Sequence, residues 1–112
     1  MYYNLRYIYI TTSSKEEARK IGRDLVEKRL AACVNIVDGM ESIFWWEGKI
    51  EESNECVLIA KTAYSKVRAL TDRVKELHSY DCPSVVSLTI TEDEGNKDYL
   101  DWLIKESAQS RV

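Results

Sequence analysis

Two β-rich runs joined by a two-residue turn constrain this chain more than any other feature. Residues 30–62 read LAACVNIVDGMESIFWWEGKIEESNECVLIAKT. Taken as strands Cys33–Trp46 and Lys49–Thr62 about a Glu47-Gly48 turn, each run has 14 residues. At about 3.3 Å per residue each spans roughly 45 Å, whereas strands of globular proteins usually have about 3–10 residues. A chain of 112 residues builds no sheet wide enough to cover such a hairpin along its whole length, so the distal half must project. That half carries Ile43, Phe44, Trp45 and Trp46 in succession. Adjacent strand residues face opposite ways, and both faces of the ribbon are therefore apolar. Such a surface requires a partner. The expectation is an oligomer with Phe44, Trp45 and Trp46 in the subunit interface.

The remaining elements follow from periodicity. Tyr3–Thr11 is rich in aromatic and β-branched residues and reads as a first strand. Ser14 and Glu17 have capping-box spacing, and Ala18, Ile21, Leu25 and Leu30 line one face of a helix over about 14–30. Between Ala63 and Ser79, Val67, Leu70, Val74 and Leu77 form the seam of a second amphipathic helix. Pro83 precedes a fourth strand over Ser84–Thr91. Gly95-Asn96 breaks the chain before a helix over Lys97–Ser107, whose buried side is Tyr99, Leu100, Leu103 and Ile104. The fold expected for 1–112 is a single α+β domain, a ferredoxin-like β-α-β-β-α-β sandwich with a long hairpin and an extra C-terminal helix. In that topology the first strand lies between the third and fourth. His78–Pro83 then shares one end of the domain with Thr11, Thr12 and the hairpin turn. Cys33, Lys61 and the loop 91–96 share the other.

Composition excludes several function classes. Apolar residues are 45% and charged residues 31% of the chain, with a net charge of -3, which offers no electrostatic attraction to nucleic acid or anionic membranes. No run approaches the roughly 18 apolar residues of a membrane span. Arg6 interrupts the apolar start, so no leader is read there and a cytoplasmic location is expected. Cys33, Cys56 and Cys82 are widely spaced, which argues against a disulfide framework or a Cys-x-x-Cys zinc site.

Several segments together resemble the CutA family of divalent-cation tolerance proteins. They are Leu30-Ala31-Ala32-Cys33-Val34-Asn35-Ile36, Trp46-Glu47-Gly48-Lys49-Ile50-Glu51, Lys61-Thr62, His78-Ser79-Tyr80-Asp81-Cys82-Pro83, and Gly95-Asn96 with Tyr99-Leu100-Asp101-Trp102. The resemblance implies a homotrimer whose hairpins pair across subunits, and a link to tolerance of copper and other divalent metals. It implies no reaction. A kinship with PII signalling proteins leaves two alternatives open: a small-ligand sensor, or a trimeric scaffold for partner proteins. The chain departs from the family at Ser79, which stands where Pro is usual, and at Asp81, where Glu is frequent. Ile10 and Leu77 stand where copper-linked members offer a cysteine and a second histidine.

Candidate ligands are few. His78, Asp81 and Cys82 present imidazole, carboxylate and thiolate within one short loop, donors suited to copper or zinc. Against this, His78 could simply cap the carbonyl end of its helix. Lys61 is a possible contact for an anion or ligand, with an ion pair to the acidic loop Glu92-Asp93-Glu94 as the plainer expectation. Cys33 and Cys56 read as packing residues. Glu51 and Glu52 are adjacent in a strand and face apart, so they make no acid–base pair. No catalytic set is legible, and no enzyme is expected.

Overall fold

Alternation along the first strand decides the layering. In the computed structural model, which describes residues 5–108, β1 (Leu5–Thr12) sends Ile8 and Ile10 to one face, where both are fully buried. These residues pack with Cys56, Leu58 and Ala60 of β3 (Lys49–Ala63), with Ala18, Ile21 and Leu25 of α1 (Lys15–Glu27), and with Leu70 and Val74 of α2 (Val67–Leu77). Burying one such aliphatic side chain is worth about 1.5–3 kcal/mol. A second cluster joins Leu5 to Leu100 and Leu103 of α3 (Lys97–Ala108), near Cys33 at the start of β2 (Cys33–Trp46). With β4 (Val85–Thr89) the sheet order is β2-β3-β1-β4, antiparallel throughout. This is the ferredoxin-like arrangement, with α1 and α2 on one face. On the other face Val37, Val86 and Leu88 are exposed. No described helix is long and apolar enough to cross a membrane.

Element ends differ from the periodicity reading for local reasons. Tyr3 and Asn4 of the expected first strand lie outside the described residues. The first helix stops at Glu27, short of Leu30, because Arg29 adopts a left-handed conformation at φ 60°. The amides of Arg29 and Leu30 then bond back to the carbonyls of Val26 and Leu25, and Leu30 returns to the core. This is a Schellman closure, in which the apolar residue after the turn packs on the helix it terminates. The second helix begins at Val67, later than expected, because β3 runs on to Ala63 and a single 3-10 turn, Tyr64–Lys66, follows. The fourth strand is limited to the five residues that pair with β1.

The hairpin projects as expected. β1 ends at Thr12, opposite Cys56; from Glu55 to the tip β3 has β2 alone for a neighbour. Glu47 and Gly48 both have positive φ, at 49° and 80°, the requirement of a two-residue type I′ turn whose twist suits a hairpin.

An ionic clamp holds the two helices of the covered face together. Arg73 of α2 donates from Nε and Nη2 to the two carboxylate oxygens of Asp24 on α1, each at 2.8 Å, and Lys28 adds a third contact at 2.9 Å. The Arg73 hydrogen bonds, helped by Lys28 and opposed by partial burial, hold the Asp24 carboxyl well below the usual carboxylate range. A lowered native pKa stabilises the fold above the unfolded value, and that stabilisation is lost as pH falls toward the native one. Asp24→Asn should therefore cost about 1–2 kcal/mol at pH 7. Urea unfolding of both proteins at stepped pH checks this: the difference should persist down to about pH 4 and shrink below it.

Candidate functional site

Three regions carry the candidate residues. The first is the hairpin tip. Ile43 and Trp45 are each 71% exposed, Trp46 is 51% exposed, and Ile50, paired with Trp45, is 60% exposed. Phe44 is exposed as well. Trp45 and Trp46 face opposite sides, so each face of the ribbon carries an uncovered indole.

The second region is the loop between α2 and β4. His78 was a candidate ligand, but its side chain is fully buried and both ring nitrogens have partners. Nε2–H donates to the Thr11 carbonyl at 2.7 Å, and Nδ1 accepts from the Tyr80 amide at 3.0 Å. A carbonyl can only accept and an amide N–H only donate, which fixes the tautomer. The capping expectation holds for the backbone: His78 is the C-cap of α2 and its amide closes the helix on the Val74 carbonyl, while its imidazole reaches past the helix end to β1. Asp81 and Cys82 are exposed. Among the described residues no three His, Cys, Asp or Glu side chains converge as a metal set. Within one chain, then, the geometry of His78 does not fit a chelated ion.

Glu17 is what holds this loop. Ser14 caps α1 by accepting from the Glu17 amide at 3.1 Å. The Glu17 carboxylate reaches back one residue further than the capping box predicts, accepting from the amide and hydroxyl of Ser13, both at 2.9 Å. Its other oxygen accepts from the Ser79 amide at 2.8 Å. Burial works against the charge, but the Ser13 and Ser79 hydrogen bonds outweigh it and hold the carboxyl at about 2. The capping motif marked Glu17 in the sequence. Its second partner is 62 residues away and was not legible.

The third region lies at the opposite end of the sheet. Lys61 does not pair with the acidic loop, contrary to expectation. Its ammonium donates to the Tyr99 hydroxyl at 3.0 Å and sits 5.2 Å from that ring's centroid. Tyr99 stacks on Trp102 at 5.7 Å and 27°. The acidic loop instead turns Glu92 onto the Leu5 amide at 3.1 Å. The Tyr99 hydroxyl pushes the Lys61 pKa up, against the effect of burial. Cys56 is fully buried, and burial pushes its thiol up. Cys33 is half-buried beside the second cluster. Both are packing residues. Asp38, Glu41 and Glu55 line an open groove of about 400 Å³ with Ser13, Gly39 and Asn54, beside the base of the hairpin.

The Glu17 contacts generate a specific expectation. Glu17→Gln keeps the size but removes the charge, and should destabilise the protein by about 1–2 kcal/mol. Hydrogen exchange should quicken at Ser79 and Tyr80 before it quickens in β1.

The family model described as CutA1 divalent ion tolerance protein matches residues 6–106. A divalent-cation tolerance protein CutA from Thermus thermophilus is 50% identical over 96 residues, which is 86% of this chain and 91% of that one. The chloroplastic protein CutA 1 of rice is 44% identical over 103 residues; the match covers 92% of this chain but 57% of the rice protein. The crystal structure of CutA1 from Oryza sativa superposes with a TM-score of 0.88 at 42% identity, covering 96% of each chain. The matched segment takes in the hairpin, the His78 loop and most of α3, and the chain accordingly belongs to the CutA1 family of divalent ion tolerance proteins.

Proposed function

We propose that this protein acts as a homotrimer in tolerance of, and response to, divalent metal ions, without catalysing a reaction. The observation that carries the assembly is the projecting ribbon, uncovered on both faces: Ile43, Trp45 and Ile50 on one, Phe44 and Trp46 on the other. Three copies joined head to tail by rotation close into a ring and leave no tip unpaired. Family membership supports the metal role. The geometry of the His78 loop argues for where metal contact belongs. His78 stays within the fold, and the exposed Asp81 and Cys82 are the donors left on the loop. Weak binding of copper or another divalent ion at that loop then draws further ligands from a neighbouring subunit.

A second reading, a small-ligand sensor, is favoured by one observation: the exposed Tyr99–Trp102 stack with the Lys61 ammonium over one ring. That combination suits a planar anion, through stacking and charge.

Native mass spectrometry with added Cu²⁺ or Zn²⁺ tests the first reading. The expected result is a trimer that takes up ions and loses them on combined Asp81→Asn and Cys82→Ser substitution. A trimer that stays metal-free removes direct binding from the proposal. Trp46→Glu should weaken assembly by about 2 kcal/mol or more, the scale of an interface hot spot; an unchanged trimer would sink the interface assignment. For the sensor reading, a saturable thermal shift with aromatic carboxylates or nucleotides should disappear in Lys61→Met.

A further inference from the structure

The ribbon leaves the body of the protein at a bulge. Val37 pairs with Val57 and the next pair is Met40 with Glu55, so Asp38 and Gly39 together oppose Cys56. Gly39 has φ +84°, a conformation that side chains disfavour, and its amide bonds to the Asp38 carboxylate at 2.9 Å. A bulge bends its strand and sharpens the local twist. The direction of everything beyond it depends on how the first rung after the bulge is held.

That rung is Met40–Glu55, and the body grips both of its members through phenols. The Tyr9 hydroxyl of β1 donates to the Met40 sulfur at 3.2 Å. The Tyr80 hydroxyl, from the loop after α2, donates to the Glu55 carboxylate at 2.9 Å. Tyr80 is itself fixed: its amide donates to His78 Nδ1, and its ring lies 4.7 Å from the imidazole. His78 in turn is bonded to the Thr11 carbonyl, next to the last residue of β1. Burial, and then the neighbouring Glu55 carboxylate, push the Tyr80 phenol up to about 12, which keeps it a donor.

We propose that Tyr80 and Tyr9 are positioning residues for assembly: their phenols clamp the first rung of the ribbon and preset the direction in which its tip meets a neighbouring subunit. This rests on the homotrimer reading. Lever arithmetic shows why the clamp matters. From Met40 to Trp46 the ribbon is about 20 Å long, at about 3.3 Å per residue. A pivot of about 10° at the base displaces the tip by roughly 3.5 Å, comparable to a whole apolar contact distance. A two-stranded ribbon alone is too weak to hold its own pitch. Presetting the pitch also removes an ordering cost from association.

The test is Tyr80→Phe, which removes one hydroxyl and keeps the ring on His78. Sedimentation across a dilution series reads assembly, and hydrogen exchange reads the ribbon. Trimer dissociation should shift to about tenfold higher protein concentration, the loss of one charge-assisted hydrogen bond. Amides of 40–46 and 49–55 should exchange faster while those of 6–11 keep their protection. Glu55→Ala should have the same effect, and adding Tyr80→Phe to it should have no further effect, since both remove one bond. Glu55→Gln, which keeps an acceptor, should restore most of the assembly. Tyr9→Phe gives an independent variant, should Glu55→Ala fail to fold. Unchanged assembly with unchanged ribbon exchange in both phenol variants overturns the proposal. A general rise in exchange across β1 and the helices, with the ribbon no worse than the rest, overturns it as well, because that is the signature of lost stability alone. A monomeric parent protein refutes the homotrimer reading, and with it the assembly role. Ribbon exchange in Tyr80→Phe then still reports whether the phenols clamp the rung.

Discussion

Everything outside the two-layer body follows from the place where β1 stops pairing with β3. β1 has 8 residues and β3 has 15. Pairing runs from Leu5–Ala63 to Thr12–Cys56 and ends there. From Lys61 to Val57 β3 pairs with β2 on one side and β1 on the other, and Cys56, Leu58 and Ala60 are buried under α1 and α2. Past it, β3 has only β2, and apolar side chains on either face meet no helix. The same chain thus contains a self-sufficient sheet and a ribbon that cannot satisfy itself. Uncovered indoles on the second segment are the direct result.

The end of β1 is also where the most connected polar groups gather. The single proton of the Thr12 hydroxyl is shared between the Cys56 carbonyl at 2.9 Å and the Ser14 carbonyl at 3.1 Å, tying the strand end to β3 and to the start of α1. The Thr11 carbonyl takes the His78 imidazole, and Glu17 holds both Ser13 and Ser79. Terminating a central strand leaves backbone groups that must be satisfied when buried. Here the loop before β4 supplies the partners. A histidine that looks like a metal donor in the sequence is in this structure the plug of a strand end. With both ring nitrogens so used, the imidazole is held in the fold, while Asp81 and Cys82 are exposed.

Much of the fold was legible because its signals are local. Ser14 and Glu17 announced a helix start; Leu70 and Val74 lay at helical spacing; Glu47-Gly48 marked a tight turn between two β-rich runs. Boundaries were misread where a single backbone choice overrode periodicity. Arg29 in the left-handed region ended α1 early although Leu30 kept the apolar phase. The candidate site was less legible. Lys61 was expected to seek carboxylates by charge, yet Tyr99, 38 residues further on, lies closer once α3 packs on Leu5.

The sequence by itself determined that this chain forms an α+β sandwich and that its hairpin is too long for the sheet it belongs to. Hydrophobic period and strand length are properties of consecutive residues, and 14-residue runs cannot be folded back within so short a chain. Only the tertiary structure decided what each polar side chain is for. Whether His78 meets a metal or a carbonyl depends on which atoms the fold brings within about 3 Å of its ring, and hydrogen-bond strength falls off over tenths of an ångström. Partners such as Thr11 for His78, Ser79 for Glu17 and Glu55 for Tyr80 are 67, 62 and 25 residues apart in the chain. Chain spacing carries no record of such meetings; packing creates them.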